Sequence, residues 1–311
     1  MLTVGVCTFR RESLAETIAS LGAQSLPPDA VIVADNDEVP SARPLAERAA
    51  ARAGLRLAYV HAPARNISVA RNAVLDEAQR LGADMLAWID DDEAAPVRWL
   101  AQMSAALTAD LAAVFGPTRA VYPPGAPDWM ARLRPHDQVV PVTRGAVRCG
   151  HTGNALVRFG ARGLAGLRFD EALGRTGSED TAYFLAGHAQ GAAYALVDAP
   201  VFEPVPAARL SEGWLAERKA RAGSVYYRTL PEGGARAGLL AVPKAAYCMG
   251  AALIARSEGA RRAARLRGAF HEGVVRAALG MQPADHYGGT PAGIGHEAPP
   301  PEAAVPQLTE G

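Results

Sequence analysis

Hydrophobic and polar positions in the first third of the chain alternate between two periods. Short, almost wholly apolar runs stand at residues 2–7, 31–34, 57–60 and 85–89. Their length and β-branched content read as buried strands. Helical spacing fills the gaps. Ser13-Leu-Ala-Glu16 has the form of a capping box and opens a helix to about Ala23. Residues 45–53 read as a helix stopped by Gly54, and residues 67–81 as an amphipathic helix stopped by Gly82. Pro96 stands at a first-turn position of a helix running to about Leu107. This alternation predicts an α/β chain with a doubly wound, mostly parallel sheet. Ligands bind such sheets outside the C-terminal ends of the strands. Two of those ends carry acids: Asp35 and Asp37 after the second strand, Asp90 to Asp92 after the fourth.

The pattern is less regular beyond. Residues 114–121 read as a strand, the proline- and aromatic-rich residues 122–135 as a loop, and residues 155–158 as a short strand after His151-Thr-Gly-Asn154. Thr176-Gly-Ser-Glu-Asp180 reads as a loop ending at the start of a helix that reaches about Gln190; residues 193–197 form a late strand and residues 214–228 a basic helix. The composition shifts at Gly233. Residues 238–255 come nearest to a membrane span, but Pro243 and Lys244 interrupt them. Residues 256–276 carry six arginines and two glutamates in an amphipathic pattern. They read either as a solvated helix packed on the domain or as one that weakly touches an anionic membrane surface. From Met281 the chain is rich in Pro, Gly, Ala and Glu without Lys or Arg, the composition of a disordered tail. The expected division is residues 1–230, a helical extension over 231–280, and a tail over 281–311.

Charge and cysteine content narrow the function. Basic and acidic side chains number 32 each, so the basic excess of a general nucleic-acid surface is missing. Three widely spaced cysteines, Cys7, Cys149 and Cys248, imply neither a disulfide framework nor a zinc knuckle and suit a reducing compartment. The opening residues MLTVGVCTFRRE do not have the order of a signal peptide. The expected location is the cytoplasm, at most peripheral to the inner face of the membrane.

The strongest chemical signal is Trp88-Ile-Asp-Asp-Asp-Glu93. Consecutive carboxylates repel one another unless something compensates. Mg²⁺ or Mn²⁺ does so, taking one or two carboxylates and completing its shell with water and phosphate oxygens. Strand alternation would point Asp90 and Asp92 to one side and Asp91 to the other. The plainer reading is a solvated acidic turn or a helix N-terminal acid cluster. A Walker-type reading fails, because no GxxxxGK[ST] loop exists, and no GxGxxG fingerprint is present either. Arg65 and Arg71 lie near a helix start in Asn66-Ile-Ser-Val-Ala-Arg-Asn72, where a diphosphate can be held, or where an ordinary exposed helix end stands. Glu179 and Asp180 are either helix-start acids or a general base for a hydroxyl nucleophile. Cys149 and His151 read as ordinary loop residues.

Taken together, these segments resemble the inverting family 2 glycosyltransferases of the GT-A fold, in the branch of bacterial exopolysaccharide (succinoglycan-type) glucosyltransferases. The resemblance rests on Val4-Gly-Val-Cys-Thr-Phe-Arg-Arg11, Gln24-Ser-Leu-Pro27, Val33-Ala-Asp-Asn-Asp37, Asn66 to Asn72, Ile89-Asp-Asp-Asp-Glu93, Gly153-Asn154 and Ser178-Glu-Asp180, in the family's order. It implies a GT-A domain with a helical C-terminal appendage. It implies a nucleoside pocket lined by Thr8, Arg10 and Asp35 or Asp37, with Arg71, Asp90 and Asp91 also on the donor. Asp92, with Asp90, would hold Mg²⁺ or Mn²⁺ on the diphosphate, and Asp180, assisted by Glu179, would deprotonate the acceptor. The donor would be a UDP-sugar and the acceptor a glycan or lipid-linked hydroxyl. No QxxRW motif matches; residues 215–221 fit it poorly, which favours single addition over processive synthesis. Two other readings stand beside it: a non-catalytic nucleotide-sugar-binding subunit of an assembly complex, and a nucleotidyltransferase. The retained acids speak against the first and the missing phosphate loop against the second.

Overall fold

The computed structural model describes residues 1–230 and 234–281, so the expected tail falls, but for Met281, outside the described residues. The first half follows the pattern: β1 (Leu2–Thr8), α1 (Leu14–Gly22), β2 (Ala30–Asp35), α2 (Arg43–Ala53), β3 (Leu57–His61), α3 (Ile67–Arg80), β4 (Met85–Ile89) and α4 (Trp99–Ala106). Then come β5 (Ala113–Phe115), β6 (Thr118–Val121), α5 (Asp128–Leu133), β7 (Val142–Thr143), β8 (Ala146–Val147), β9 (Asn154–Arg158), α6 (Glu179–Ala189), β10 (Tyr194–Leu196) and β11 (Val201–Pro204). Three helices follow: α7 (Glu212–Arg228), α8 (Ala235–Ile254) and α9 (Glu258–Ala278).

Seven strands form one sheet in the order β10-β5-β9-β4-β1-β2-β3. It is parallel except for β9, which runs antiparallel between β4 and β5. Both faces are covered, which is why the strands carry apolar residues at nearly every position. Val31 and Val33 of β2 face Ile18, Leu21, Trp99 and Met103 on one side. Ile32 and Ala34 face Val74, Trp88 and the α3 side on the other.

Four local expectations are corrected. Ser13 has helical dihedrals and its side chain makes no cap bond. The tie at that end of α1 is instead Thr17, whose hydroxyl donates to the Glu93 carbonyl at 2.7 Å. Pro96 precedes a helix that begins only at Trp99. Residues 114–121 are not one strand: the chain breaks at Gly116-Pro117, where Asn154 Nδ2 donates to the carbonyls of Pro117 (3.0 Å) and Ala199 (2.8 Å), and β6 leaves to pair with β11. The expected loop at 122–135 contains α5, whose Trp129 and Met130 cluster with Leu215 and Leu266.

The last three helices form a layer. α9 packs along both α7 and α8. α7 and α9 approach closely because both carry glycine at the contact. A Cβ on Gly223 would stand 1.9 Å from the Phe270 carbonyl oxygen, and one on Gly273 1.8 Å from that of Ala220.

Candidate active site

β1 lies between β2 and β4, so three strand ends meet at one edge. Thr8 is in register with Asp35. Asp35 is fully buried and its carboxylate is occupied from within. It accepts from the Tyr59 hydroxyl, the Ala42 amide (2.8 Å) and the Asp37 amide (3.0 Å), so it fastens the loop after β2. Asp37 is held by a two-pronged bond from half-exposed Arg10 (2.9 and 2.8 Å) and by Ser41 (2.7 Å). Arg10, with Ser41 and the Glu38 amide, pulls the Asp37 carboxyl down to about 2.

The acids after β4 do not continue the strand. β4 ends at Ile89, and Asp90 to Glu93 form a turn closed by the Glu93 amide donating to the Asp90 carbonyl (3.2 Å). Strand alternation therefore does not aim these side chains; the turn does. Glu93 is the clamp: its carboxylate accepts from the Asp90 amide (2.8 Å) and from Thr118 (2.9 Å). Asp91 turns inward to accept from Thr8 (2.7 Å). Asp92 turns outward to Arg11 (3.1 Å), with Arg209 at 4.0 Å. Asp90 points towards Gly153, where a Cβ would lie 3.2 Å from its Oδ2 and 3.1 Å from Glu93 Oε1. Any larger residue at 153 would press on this carboxylate pair.

Arg71 stands at the centre. It is buried, ion-paired with buried Glu179, and placed over the Phe169 ring. Burial works against its charge, but Glu179, Asp180 and Asp90 more than offset that and raise its pKa. The local fold explains the meeting. Asn66 caps α3 by accepting from the Ser68 amide at 3.0 Å, and its Nδ2 donates to the Glu171 carbonyl (2.8 Å). Ser68 donates to the Asp170 carbonyl (2.7 Å), and Asn72 exchanges two bonds with the Phe169 backbone. The loop before α6 is thus laced to the first turns of α3, which delivers Glu179 and Asp180 to Arg71. Ser178, just before α6, is in the left-handed region (φ 83°), as are Arg10 (54°) after β1 and Arg65 (45°) before α3. Backbone strain of this kind persists where the surroundings over-determine it, often around bound ligands.

The electrostatics are those of an acid-rich, partly desolvated edge. Burial pushes Asp90 up to about 7; Arg71 opposes, and Asp92 and Asp91 add to the rise. Burial likewise lifts Asp91 to about 6, against Arg11. Glu179 is raised by burial despite Arg71, and its Oε2 is buried without a hydrogen bond. Asp180 is part-exposed and accepts from the Thr181 amide (2.6 Å) through Oδ1. His151, read from sequence as a loop residue, lies within the field of Asp180 and Arg71; burial lowers its pKa, and its Nε2 is buried without a partner. Its flanking glycines, Gly150 and Gly153, are the only sequence hint of a close approach here. Arg209 gives no sequence signal, since it reaches Asp92 from beyond β11.

Among the described residues no group of three or more His, Cys, Asp or Glu forms a ready metal cage. A Mg²⁺ or Mn²⁺ held mainly by phosphate oxygens needs only one or two carboxylates. Asp92 at the open side of the turn, within the field of Asp90, whose burial Arg71 only partly offsets, fits that requirement.

This geometry can be set beside known proteins. The profile described as Glycosyl transferase family 2 matches residues 3–170. The chain is also 42% identical over 298 residues to the succinoglycan biosynthesis protein ExoM of Rhizobium meliloti (strain 1021), covering 92% of this chain and 96% of that protein. The chain belongs to glycosyl transferase family 2. Its solved structural neighbours carry the GT-A fold. S. aureus TarS matches with a TM-score of 0.50 at 13% identity, over 88% of this chain and 54% of that one. GalNAc-T7, solved with UDP, GalNAc and Mn²⁺, matches with a TM-score of 0.51 at 14% identity, over 75% of this chain and 52% of that one. This family 2 chain therefore spans about half the length of either structure, and most of ExoM.

Proposed function

We propose that this chain moves a sugar from a UDP-sugar to a hydroxyl of a glycan or lipid-linked acceptor, with inversion, in surface polysaccharide biosynthesis. The observation that carries the reading is the convergence of the Asp90–Asp92 turn, buried Arg71 and the Glu179–Asp180 helix start on one edge of the sheet. Family membership and the likeness to ExoM support the reaction class, and the UDP bound in GalNAc-T7 supports the donor.

Each residue then has a task. Arg10, anchored on Asp37, presents its guanidinium to the nucleoside, while Asp35 holds that loop from beneath. Asp91, fixed by Thr8, braces the turn. Asp90 faces the ribose or donor sugar. Asp92 and Asp90 would hold Mg²⁺ or Mn²⁺, which when bound supplies positive charge to the diphosphate. Arg71 places a fixed cation beside the leaving group, where it acts without reorganising. Asp180 has an open carboxylate oxygen and takes the proton from the acceptor hydroxyl, which attacks the anomeric carbon from the face opposite the nucleotide. Glu179 keeps Arg71 in place. Three free cysteines suit a reducing cytoplasm as the place of action.

The test is calorimetric titration of UDP with and without Mn²⁺, on the wild type and on Asp92→Ala. Binding that needs both the metal and Asp92 is the expected result. Equal binding without metal would remove the metal from the reading. No binding of UDP, GDP or dTDP would remove the donor.

A further inference from the structure

α8 is unusually apolar for a helix so exposed. Its residues Arg236–Ile254 have a mean hydropathy of 1.5, yet only 22% of that window is buried. Gly238, Ala241, Cys248 and Ala252 turn towards α9. The opposite face carries Leu239 (75% exposed), Tyr247 (76%), Met249 (66%), Leu253 (86%) and Ile254 (82%). Exposed apolar area of this extent on one face marks an interaction surface.

The charges around it identify the occupant. α8 contains no acidic residue, and Arg236 and Lys244 are both exposed on it. Arg256 follows its C-terminal end directly and Arg261 stands in the first turn of α9, both also exposed. The acids of α9, Glu258 and Glu272, are engaged by Arg262 and Arg276. An apolar helix face bracketed by exposed cations is the pattern that lies in the headgroup region of an anionic bilayer.

Length alone would let α8 cross a membrane, since 20 residues reach about 30 Å. Its packing argues otherwise. α8 runs antiparallel along α9: Gly238 is beside Ala278, and Gly268 is beside Cys248. Insertion across the bilayer would either strip α8 from α9 or carry the arginines of α9 into hydrocarbon. Lying flat needs neither, and it leaves Lys244, on the flank of the apolar face, at headgroup depth.

We infer that the exposed face of α8 is a membrane-docking surface that lies in the plane of an anionic lipid bilayer. The inference is independent of the donor chemistry. A chain held at a bilayer would suit a lipid-linked acceptor, and in that respect alone the inference builds on the proposed reaction.

Co-sedimentation of the full chain with phosphatidylcholine vesicles, alone or mixed with phosphatidylglycerol, tests it. The wild type is expected to pellet with the anionic vesicles and to be released by high salt or alkaline carbonate. Leu253→Ser combined with Tyr247→Ser changes exposed positions only and should abolish pelleting. Arg236→Gln with Arg256→Gln should weaken it roughly fivefold per charge. UDP binding, read on the same samples, should not change in either variant. Four outcomes would overturn the inference. Retention after carbonate would mean a spanning helix. Absence of vesicle binding, with a concentration-dependent dimer that the double serine variant loses, would give the face to a second copy. Equal pelleting with neutral and anionic vesicles, or pelleting that the double serine variant keeps, would take the anionic bilayer away from this face.

Discussion

The sheet edge and the C-terminal helical layer depart from ordinary burial in opposite directions. At the edge, charged groups are buried: Arg71, Glu179, Asp91 and Glu93 are each at most 8% exposed. In the layer, large apolar groups are exposed along α8. A buried charge costs stability unless it is paired, and an exposed apolar face gains nothing from folding. Each region is therefore incomplete in its own chemistry. On the readings proposed above, the edge would take a partner that is anionic and metal-bearing at once, and the layer one that is apolar and anionic. The difference teaches that residues kept at a cost to folding point to what is bound, and that one chain can hold two such regions with unrelated partners.

The sharpest test of the edge is Asp180→Asn. The variant keeps the shape of the helix start and removes the proton acceptor. UDP binding should persist while transfer falls by about 10²- to 10⁴-fold. A loss of both together would mean that Asp180 shapes the donor pocket, and the base would have to be sought at its neighbour Glu179 or at His151. The same assay on the α8 serine variant, with a soluble acceptor, should show no change; a change would merge the two regions into one site.

Next in size is the buried pair. Removing one member leaves the other buried without its ion-pair partner, so Arg71→Met or Glu179→Gln should each cost roughly 3–5 kcal/mol in urea unfolding. The double variant should cost much less than the sum. Additive losses would show that the two groups do not depend on each other, and Arg71 would then owe its position to α3 and Phe169 alone.

Much of the fold is legible in the sequence, and for identifiable reasons. The strands of the doubly wound half are wholly apolar, and helices stop at Gly54 and Gly82 in the left-handed conformation. Asn66, Arg71 and Glu179–Asp180 sit in segments whose order along the chain matches the family's. What escaped depended on distant partners. Ser13 looked like a cap, but Thr17 found the Glu93 carbonyl instead, 76 residues away. The aim of Asp90, Asp91 and Asp92 follows from Glu93 reaching Thr118 across 25 residues, which no local period encodes. Arg209 and β11 arrive from the far end of the domain. The exposed face of α8 was hidden because a hydropathy pattern does not say which side a neighbour covers.

The smallest expected effect concerns the outer rim of the edge, where one charge of a pair is exposed. Asp37 is buried but Arg10 is half in water, so solvent screens the pair and it should contribute little. Its pH signature is nevertheless defined. Hydrogen bonding from Arg10 lowers the Asp37 carboxyl from an ordinary 3.8 to about 2 in the folded protein. The unfolded chain takes up this proton first as pH falls, so the stabilisation is complete above 3.8 and disappears as pH drops through about 2. Arg10→Ala should therefore be less stable than the wild type near neutral pH, with a gap that closes across that window and narrows in high salt. A gap that stays constant with pH would mean that Arg10 acts by packing on Phe9, over whose ring it lies at 5.2 Å, and not through the Asp37 carboxylate.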